Sequence, residues 1–352
     1  MEFGVQFFPN VTPAEKPAAQ YYDECLKLCE LLDTYGYTHV RTVEHYFHHY
    51  GGYSPNPVVF LTAASQRTQK ARLITGAVLP VFNHPLKVAG EIGMLDGISN
   101  GRLEVGLGRA FLPQEFRAFG VSLDESVARF DEGLDQIRRL LEEENVTCEG
   151  RFHSFKDVTS MPRPTQTPRP QFWTAAVSTP DSFEKAGRRG DWIMAIPIAG
   201  GKLEEFVGVY REAWKSAGHP GEGRVMLAFF MLCHEDREEA KRIARQPVDR
   251  YFSSLCEAAG DWGSGTASDD YKGYDKLIEV LRQENLDTQI EKLSAWVGTP
   301  DDVEEMIREY AKQIGGFDDA SLQTNFTTVS YADAEQSMRL FGEKVLPRFA
   351  KT

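Results

Sequence analysis

The sequence has no basic cluster, no long apolar run and no cysteine framework, and each absence argues against a class of protein. Its formal net charge of −13 over 352 residues disfavours binding to nucleic acid or to an anionic membrane surface. No apolar run approaches the length of a membrane span, and the opening residues MEFGVQFFPN lack a basic stretch followed by an apolar one. We therefore expect a cytoplasmic protein that has neither a membrane nor a nucleic-acid partner.

Cysteine usage also favours a reducing compartment. The chain has five cysteines, an odd number, and their spacing shows no pairing pattern: Cys25, Cys29, Cys148, Cys233 and Cys256. Cys25 and Cys29 lie four residues apart in a helical pattern, so we expect them to share a helix face rather than to form a redox pair.

Short β-rich runs alternate with longer helical patterns along most of the chain. The predicted strands are 3–8, 38–43, 71–79, 102–107, 171–176, 191–196, 225–233 and 319–326. Helical periodicity lies between them, at 19–35, 57–67, 86–97, 122–143, 180–188, 202–217, 235–245, 300–313 and 331–345. This rhythm is typical of parallel strands joined by crossover helices. Eight such units in 352 residues favour an α/β (β/α)₈ TIM barrel over an open doubly wound sheet.

Two segments interrupt the rhythm. Residues 146–155 predict a hairpin, and 161–170 a proline-rich extended connector. After the seventh strand, 252–293 shows no clear strand, and its middle, 260–276, is rich in Gly, Ser and Asp. We predict a mobile insertion at about 252–293 within one domain that covers residues 1–352, because long loops in compact enzymes are usually functional or disordered.

Candidate chemistry follows the predicted strands, because the active sites of TIM barrels lie at the carboxyl ends of the strands. Residues 44–50 after the second strand hold one carboxylate, three histidines and three other aromatic side chains. This segment could bind a metal through His45, His48 and His49, or pack its aromatic side chains on the barrel rim. We favour ligand binding with His45 in proton transfer, beside Glu44, and we expect no metal.

Glycines follow the third and fourth strands. After Thr75, Gly76 either lets the backbone approach a flat ligand or marks a bulge. The run from Gly106 resembles the start of a dinucleotide fingerprint, but it lacks the third glycine and does not open a helix. Gly108 and Arg109 instead suit a phosphate group, because the backbone can come close and the guanidinium can bind two oxygens.

The fifth predicted strand leads into a helix whose first residues carry hydroxyls, namely Ser178, Thr179 and Ser182. A helix N-terminus with exposed N–H groups is a natural anion site. Ordinary capping of the helix by Ser178 or Thr179 is the alternative, and it needs no ligand.

Several of these segments together resemble a known family. The matching runs are 43–46 (VEHY), 77–80 (AVLP) with 84–85 (HP), 95–102 (LDGISNGR), 106–109 (GLGR), 115–120 (EFRAFG) and 296–300 (WVGTP). They fall in family order over most of the chain. On these residues the sequence resembles the luciferase-like flavin-dependent oxidoreductases of the bacterial-luciferase type.

The resemblance implies a TIM barrel with a mobile late insertion, and a monooxygenase that uses reduced FMN and O₂ on a small organic substrate. It also implies a separate flavin reductase as electron source and a homodimer. By position, Glu44 and the Thr75–Gly76 backbone would line the isoalloxazine, beside Gly108. Arg109 would bind the phosphate with Ser178, Thr179 and Ser182, and His45 would handle protons during catalysis. The candidate walls of the cavity are Phe7, Trp192 and Met194.

The chain also departs from the luciferase pattern. Gly108 stands where the luciferase alpha subunit has a reactive cysteine, and Tyr46 stands where it has a second histidine. These differences disfavour light emission but are compatible with oxygenation. Two alternatives stay open, a hydride-transfer enzyme that uses a deazaflavin coenzyme and a flavin-binding partner subunit without catalysis.

Overall fold

Eight parallel strands close into a barrel in the computed structural model, which describes residues 1–177, 179–197, 202–266 and 268–350. The strands in chain order are β1 (Glu2–Phe7), β2 (His39–Thr42), β3 (Arg72–Thr75), β4 (Leu103–Leu107), β5 (Val146–Glu149), β6 (Ser154–Val158), β7 (Phe172–Ala175), β8 (Trp192–Ala195), β9 (Val225–Cys233), β10 (Ala295–Gly298) and β11 (Asp319–Gln323). Around the barrel the order is β1-β2-β3-β4-β7-β8-β9-β11, and β11 pairs with β1 to close it. The predicted TIM barrel is confirmed.

Helices follow most of the barrel strands and cover the outside of the barrel. They are α1 (Ala18–Cys29), α2 (Leu32–Tyr35), α3 (Pro57–Ser65), α4 (Pro85–Ile98), α5 (Pro113–Phe119), α6 (Ser126–Glu142), α7 (Pro180–Arg189), α8 (Leu203–Ser216), α9 (Arg237–Ala258), α10 (Tyr274–Leu281), α11 (Leu286–Glu291), α12 (Pro300–Gln313) and α13 (Tyr331–Lys344). The predicted helix 19–35 is two helices, and Gly36 in the left-handed conformation ends the second.

The barrel strands are buried on both faces, because helices cover one side and the barrel interior fills the other. All nine residues of β9 are buried, and so are the five of β4 and the five of β11. Of these, β9 is a continuous apolar run in the sequence, as is typical of a strand buried on both faces, and its prediction is correct. The predicted hairpin is confirmed as the antiparallel pair β5–β6.

The segment after β9 differs from the prediction of a structureless excursion at 252–293. Helix α9 runs through Pro247 and ends at Ala258, short 3₁₀ turns follow at 260–264 and 269–271, and α10 and α11 complete the segment. A proline inside a helical pattern normally argues for a helix end, and here the helix continues through it. We call residues 237–291 the roof. Its predicted mobility stays a prediction.

The sequence analysis missed strand β10, as well as the short helices α5, α10 and α11. Strand β10 has four residues and pairs in parallel with the upper half of β9, from Phe230 to Cys233. So short a run between two helices looks like a loop in the sequence. Because β10 follows the roof directly, the roof leaves the barrel at the end of β9 and returns beside the same strand. Within the described part of the chain, no helix is both long and apolar enough to cross a membrane.

Candidate active site

A cavity of about 530 Å³ lies at the carboxyl ends of the barrel strands, under the roof. Its volume is in the range of sites for small molecules and cofactors. The barrel side is formed by residues at or just after the ends of β1, β2, β3, β4, β7 and β8. The roof side combines apolar and aromatic side chains with three charged ones at its edge, and consists of Tyr251, Leu255, Tyr274, Leu277, Ile278 and Leu281 together with Asp269, Asp270 and Lys272. The cavity therefore occupies the end of the barrel at which the sequence predicts chemistry.

The structure brings most of the predicted site residues to this cavity. Those that line it are Glu44, His45, Gly76, Gly108, Arg109, Thr179 and Ser182. Thr75 is an exception, because its hydroxyl lies behind the wall and exchanges hydrogen bonds of 2.8 Å with the backbone of Gly106. Ser178 lies outside the described residues. The roles assigned to all of these residues remain predictions.

Of the predicted walls, Met194 lines the cavity, whereas Phe7 and Trp192 do not. Trp192 lies on the same face of β8 as Met194 but at the amino end of the strand, away from the cavity. For Phe7 the reason is the alternation of side chains along a strand. Phe7 points out of the barrel, and its ring lies 5.6 Å from that of Phe60 in α3. The neighbouring residues Gln6 and Phe8 face the cavity instead.

His45 is held by a buried carboxyl group. Its Nδ1 lies 3.1 Å from Oε1 of Glu115, which also accepts the backbone N–H of Tyr46 at 2.9 Å. The shared acceptor assigns the ring proton to Nδ1, so Nε2 is the nitrogen that can accept a proton. Among the residues that the structure describes, Nε2 has no hydrogen-bond partner. Glu115 lies in α5, seventy positions along the chain, and nothing in the local sequence pattern indicates that it meets His45.

Glu44 is a buried carboxyl group with three donors around it. Tyr46 Oη and Asn83 Nδ2 donate to Oε1 at 2.6 and 2.8 Å, and the backbone N–H of Leu79 donates to Oε2 at 3.1 Å. Burial nevertheless raises the pKa of Glu44 to about 7, because desolvation of the charge outweighs these hydrogen bonds. Glu44 can therefore hold or release a proton near neutral pH. Tyr46 and Asn83 are site residues that the sequence analysis did not assign.

Arg109 and α7 form the other end of the cavity. Nη1 of Arg109 donates to the carbonyl of Asp270 at 2.7 Å, and its guanidinium lies 4.4 Å from the ring centre of Tyr271 in the roof. Thr179 begins α7, but its side chain makes no cap hydrogen bond and instead pairs with Ser182 Oγ at 2.8 Å. The alternative to an anion site is ordinary capping of the helix by Ser178 or Thr179, and the Thr179 side chain does not cap it.

Two further cations from α7 line this end of the cavity, Lys185 and Arg189. Arg189 pairs with Asp131 at 2.6 Å, and Lys185 lies 3.1 Å from Asp181. The sequence analysis did not assign them, although their spacing of four residues in a helix indicates a common face. Lys185 lies in the middle of α7 and Arg189 at its last residue, so these cations line the cavity along the helix, beside Asp131 and Asp181.

The sequence predicts that Gly76 makes room for a flat ligand, whereas in the structure its neighbour is the side chain of Arg41. The peptide bond between Gly76 and Ala77 is cis. A Cβ at Gly76 would lie 1.9 Å from Nε of Arg41, so the guanidinium occupies the space where a side chain would be. Glycine at this position therefore serves the packing of Arg41, which also lines the cavity.

The histidines after His45 approach one carboxylate. Nε2 of His48 and Nε2 of His49 lie 3.8 and 3.6 Å from the oxygens of Glu257. A histidine that ligates a metal usually donates its other ring N–H. In His48 the other nitrogen, Nδ1, accepts the backbone N–H of Tyr50 at 3.1 Å, so the proton is on Nε2. Nε2 of His49 also lies 3.1 Å from Oγ of Ser254 in α9, so one hydrogen bond and the charge of Glu257 hold the loop after β2 against α9.

The residues present fit a flavin mononucleotide. Cations and the uncapped start of α7 suit a phosphate. A Cβ at Gly108 would lie 3.2 Å from the Cβ of Ala77 and 3.5 Å from that of Ala175, so the glycine keeps the space between these walls open. An open space with apolar walls suits a planar ring. A barrel with these features at its carboxyl end defines a cofactor-binding α/β enzyme.

The family model described as luciferase-like monooxygenase matches residues 1–316. The chain therefore belongs to the luciferase-like monooxygenase family. The expectation of a flavin-dependent monooxygenase, which the sequence motifs support, is confirmed at the level of the family.

Three proteins show how this chain relates to known ones. The crystal structure of the monooxygenase RslO1 from Streptomyces bottropensis is 43% identical, with a TM-score of 0.88 over 99% of this chain and 100% of that one. The oxygenase component of the flavin-dependent trigonelline monooxygenase from Acinetobacter baylyi is 27% identical over 95% of this chain and 91% of that one. The oxygenating constituent of 3,6-diketocamphane monooxygenase from Pseudomonas putida, solved with FMN, is 23% identical over 100% and 99% of the two chains. Its TM-score is 0.82, and it shows the shared fold.

Proposed function

We propose that this chain is the oxygenase component of a two-component system that uses reduced FMN and O₂ to oxygenate a small organic substrate. The observation that carries the proposal is the His45–Glu115 pair, which faces a cavity whose other end is lined by cations. FMN is the flavin with one phosphate, and this end of the cavity offers one cluster of cations. A trigonelline relative described as an oxygenase component supports a separate reductase.

In this proposal the chain's own residues handle protons and exclude water. Reduced flavin, when bound, supplies the electrons that activate O₂. His45 accepts a proton at Nε2, and Glu115 holds the ring in that tautomer. Glu44 is a second proton-exchanging group, because burial raises its pKa to about 7. The apolar roof keeps water away from the reaction.

Phosphate binding is proposed for Arg109, Thr179 and Ser182, with Ser178 predicted beside them. Lys185 and Arg189 add charge from the same helix. Arg109 already contacts the roof through the carbonyl of Asp270. One guanidinium thus links the phosphate site to the roof, so that cofactor binding and roof position are coupled.

The test is the reaction of reduced FMN with O₂ in the presence and absence of the protein. We expect the protein to change the time course of flavin reoxidation, and to bind FMN more tightly than a deazaflavin coenzyme. A time course identical to that of free flavin would contradict the proposal. Tight deazaflavin binding without a preference for FMN would favour the hydride-transfer alternative.

A homodimer through α3 and α4 is also proposed. These two helices pack together and expose apolar side chains, with exposed fractions of 68% for Val59, 58% for Met94 and 40% for Ile98. Exposed apolar patches commonly mark protein interfaces. We expect light scattering to give a dimer for the wild type and a monomer for Met94→Glu.

The proposed compartment is the cytoplasm. All five cysteines are free, and four of them are buried. Unpaired buried thiols fit a reducing environment.

A further inference from the structure

Arg41 is a buried cation in the cavity for which the structure supplies no carboxylate. It is the third residue of β2, it is 6% exposed, and it lines the cavity. Nη1 donates to Gln6 Oε1 at 2.7 Å, and Nη2 donates to the carbonyl of Gly76 at 3.2 Å. Both acceptors are uncharged. Within the described ranges, no Asp or Glu oxygen lies within 4.0 Å of this guanidinium.

The guanidinium has donors to spare. An arginine has five N–H groups, and the two hydrogen bonds of Arg41 leave three without a protein acceptor. Nε is one of these, because it is buried and unpaired. Burying an unpaired charge is costly, and proteins keep such groups mainly where a ligand or partner compensates them.

The charge persists at neutral pH. Burial lowers the pKa of Arg41 only to about 10, so the group stays protonated. The tyrosine beside it is also neutral, because burial raises the pKa of Tyr251 despite the opposing charge of Arg41. The Arg41 guanidinium therefore faces the cavity as a positive charge whose protein acceptors are both neutral.

The residues around Arg41 indicate the shape of a ligand that could bind to its guanidinium. Gly76 lacks the Cβ that would collide with Nε, so the Arg41 side chain packs closely against the backbone just after β3. Phe8, Tyr50 and Tyr251 form the neighbouring wall, with ring centres 4.6 to 5.4 Å apart. A planar, ring-bearing molecule suits such a wall.

We propose that Arg41 binds a planar oxyanion carried by a ring-bearing substrate, such as a carboxylate, phenolate or enolate. The fork of the guanidinium matches two oxygens or one delocalised oxyanion. That the anion belongs to the molecule being oxygenated rests on the proposed function. A reduced flavin carries the same chemistry on its pyrimidine ring, and the experiment separates the two sources.

The experiment uses benzoate and its neutral analogue benzamide as probes. Binding of each to FMN-loaded protein is measured by calorimetry at pH 7.5, in the wild type, Arg41→Met and Arg41→Lys. We expect the wild type to prefer benzoate at least ten-fold. Arg41→Met should lose this preference with benzamide binding unchanged, and Arg41→Lys should keep part of it, because it retains the charge but not the fork.

A second arm tests the flavin as source. Affinities for oxidised and reduced FMN are compared under anaerobic conditions in the wild type and Arg41→Met. If the anion is the flavin, the variant loses affinity for reduced FMN about ten-fold and keeps that for oxidised FMN, with no benzoate preference in the wild type. Absence of both effects overturns the proposal. Neither arm depends on turnover, so failure of the oxygenase function is seen separately.

Two further variants control for indirect effects. Gly76→Ala places a Cβ 1.9 Å from Nε, so it should displace the guanidinium and reproduce the benzoate result of Arg41→Met. Lys272→Met removes a cavity cation that already has a carboxylate partner, Asp269, and should leave the benzoate preference intact. Loss of the preference in Lys272→Met as well would show a general field effect and overturn the role of Arg41. Urea unfolding of each variant checks that it folds, and Arg41→Lys serves if Arg41→Met does not.

Discussion

Arginines at the two ends of the barrel differ in their partners, which are carboxylates at the amino end and uncharged groups around Arg41 at the carboxyl end. At the amino end, Arg72 pairs with Glu104 at 2.9 Å and with Asp319 at 2.8 Å, and Arg224 pairs with Asp319 at 2.8 Å and with Glu2 at 3.0 Å. At the carboxyl end, Arg41 has only uncharged acceptors. Arg72 and Arg41 both belong to barrel strands, β3 and β2, so the difference between them lies in their partners.

The comparison indicates that the paired charges of the amino end stabilise the fold, whereas the unpaired groups of the carboxyl end are available to bind a ligand. The charges of the amino end satisfy one another, and Trp173 Nε1 donates to Glu104 at 2.8 Å to complete the network. At the carboxyl end Arg41 has N–H groups without an acceptor, and Glu44 accepts hydrogen bonds from neutral donors alone. Barrel enzymes generally use the amino end for stability and the carboxyl end for chemistry.

The largest expected effect is on turnover. His45→Ala should lower turnover by roughly 10²- to 10⁴-fold, because it removes the group that exchanges a proton at Nε2. FMN affinity should stay within about two-fold if the residue acts in proton transfer rather than cofactor binding. Steady-state kinetics and flavin titration measure the two quantities. His234→Ala, at a half-buried histidine outside the cavity lining, is the matched control, and unchanged turnover in His45→Ala would remove the assigned role.

The next effect is on stability at the opposite end. Arg72→Met should lower the free energy of unfolding by about 3–5 kcal/mol, because it leaves the fully buried Asp319 with fewer partners. Urea unfolding measures it. Flavin affinity of the folded protein should not change. A loss below about 1 kcal/mol would show that the network contributes little and would break the contrast between the ends.

A pH-dependent effect follows from Glu44. Its pKa rises from 4.5 to about 7 in the folded state, so the folded protein binds the proton more tightly than the unfolded chain does. The stability from this group is fully present below pH 4.5 and is lost as the pH rises through 7. Relative to Glu44→Gln, the wild type should lose about 3 kcal/mol between pH 4.5 and pH 8. Urea unfolding of both proteins across this range tests it, and a constant difference would contradict it.

The smallest expected effect is at the phosphate end. Ser182→Ala should weaken FMN binding by about 1 kcal/mol, or roughly five-fold in Kd, because one neutral hydrogen bond is lost. Flavin fluorescence titration measures the change. Ser216→Ala, at the exposed end of α8, is the control, and equal affinities of the two variants would place the phosphate elsewhere.

Features of the fold and the site could be predicted from the sequence where they depend on residues close together in the chain. Buried parallel strands leave apolar runs, so β9 is predicted with its observed bounds of 225–233. Helix α9 is predicted only in part, because Pro247 suggests an end that tertiary packing overrides. Glu44 and His45 are adjacent in the sequence, and their clustering after β2 is visible without a structure.

The partners of these residues are distant in the chain and leave no local trace. Glu115 meets His45 across seventy positions, and Asn83 meets Glu44 across 39. Arg41 does leave a trace, since a charged residue within a strand buried on both faces conflicts with ordinary burial. That conflict indicates a functional position, although the pairing with Gln6 needs the barrel.

The path of the roof has a consequence for engineering. The roof and its short connections, residues 234–294, join the end of β9 to the start of β10. Because β10 pairs with β9, the two ends of this segment lie close together. A segment with adjacent ends can change length or sequence at small entropic cost to the rest of the chain. Exchanging it between relatives would alter the apolar half of the cavity while the strand ends that carry Glu44, His45 and Arg41 stay in place. The roof is therefore a segment that can be exchanged between members of a family, so that their substrates differ while the residues at the strand ends stay the same.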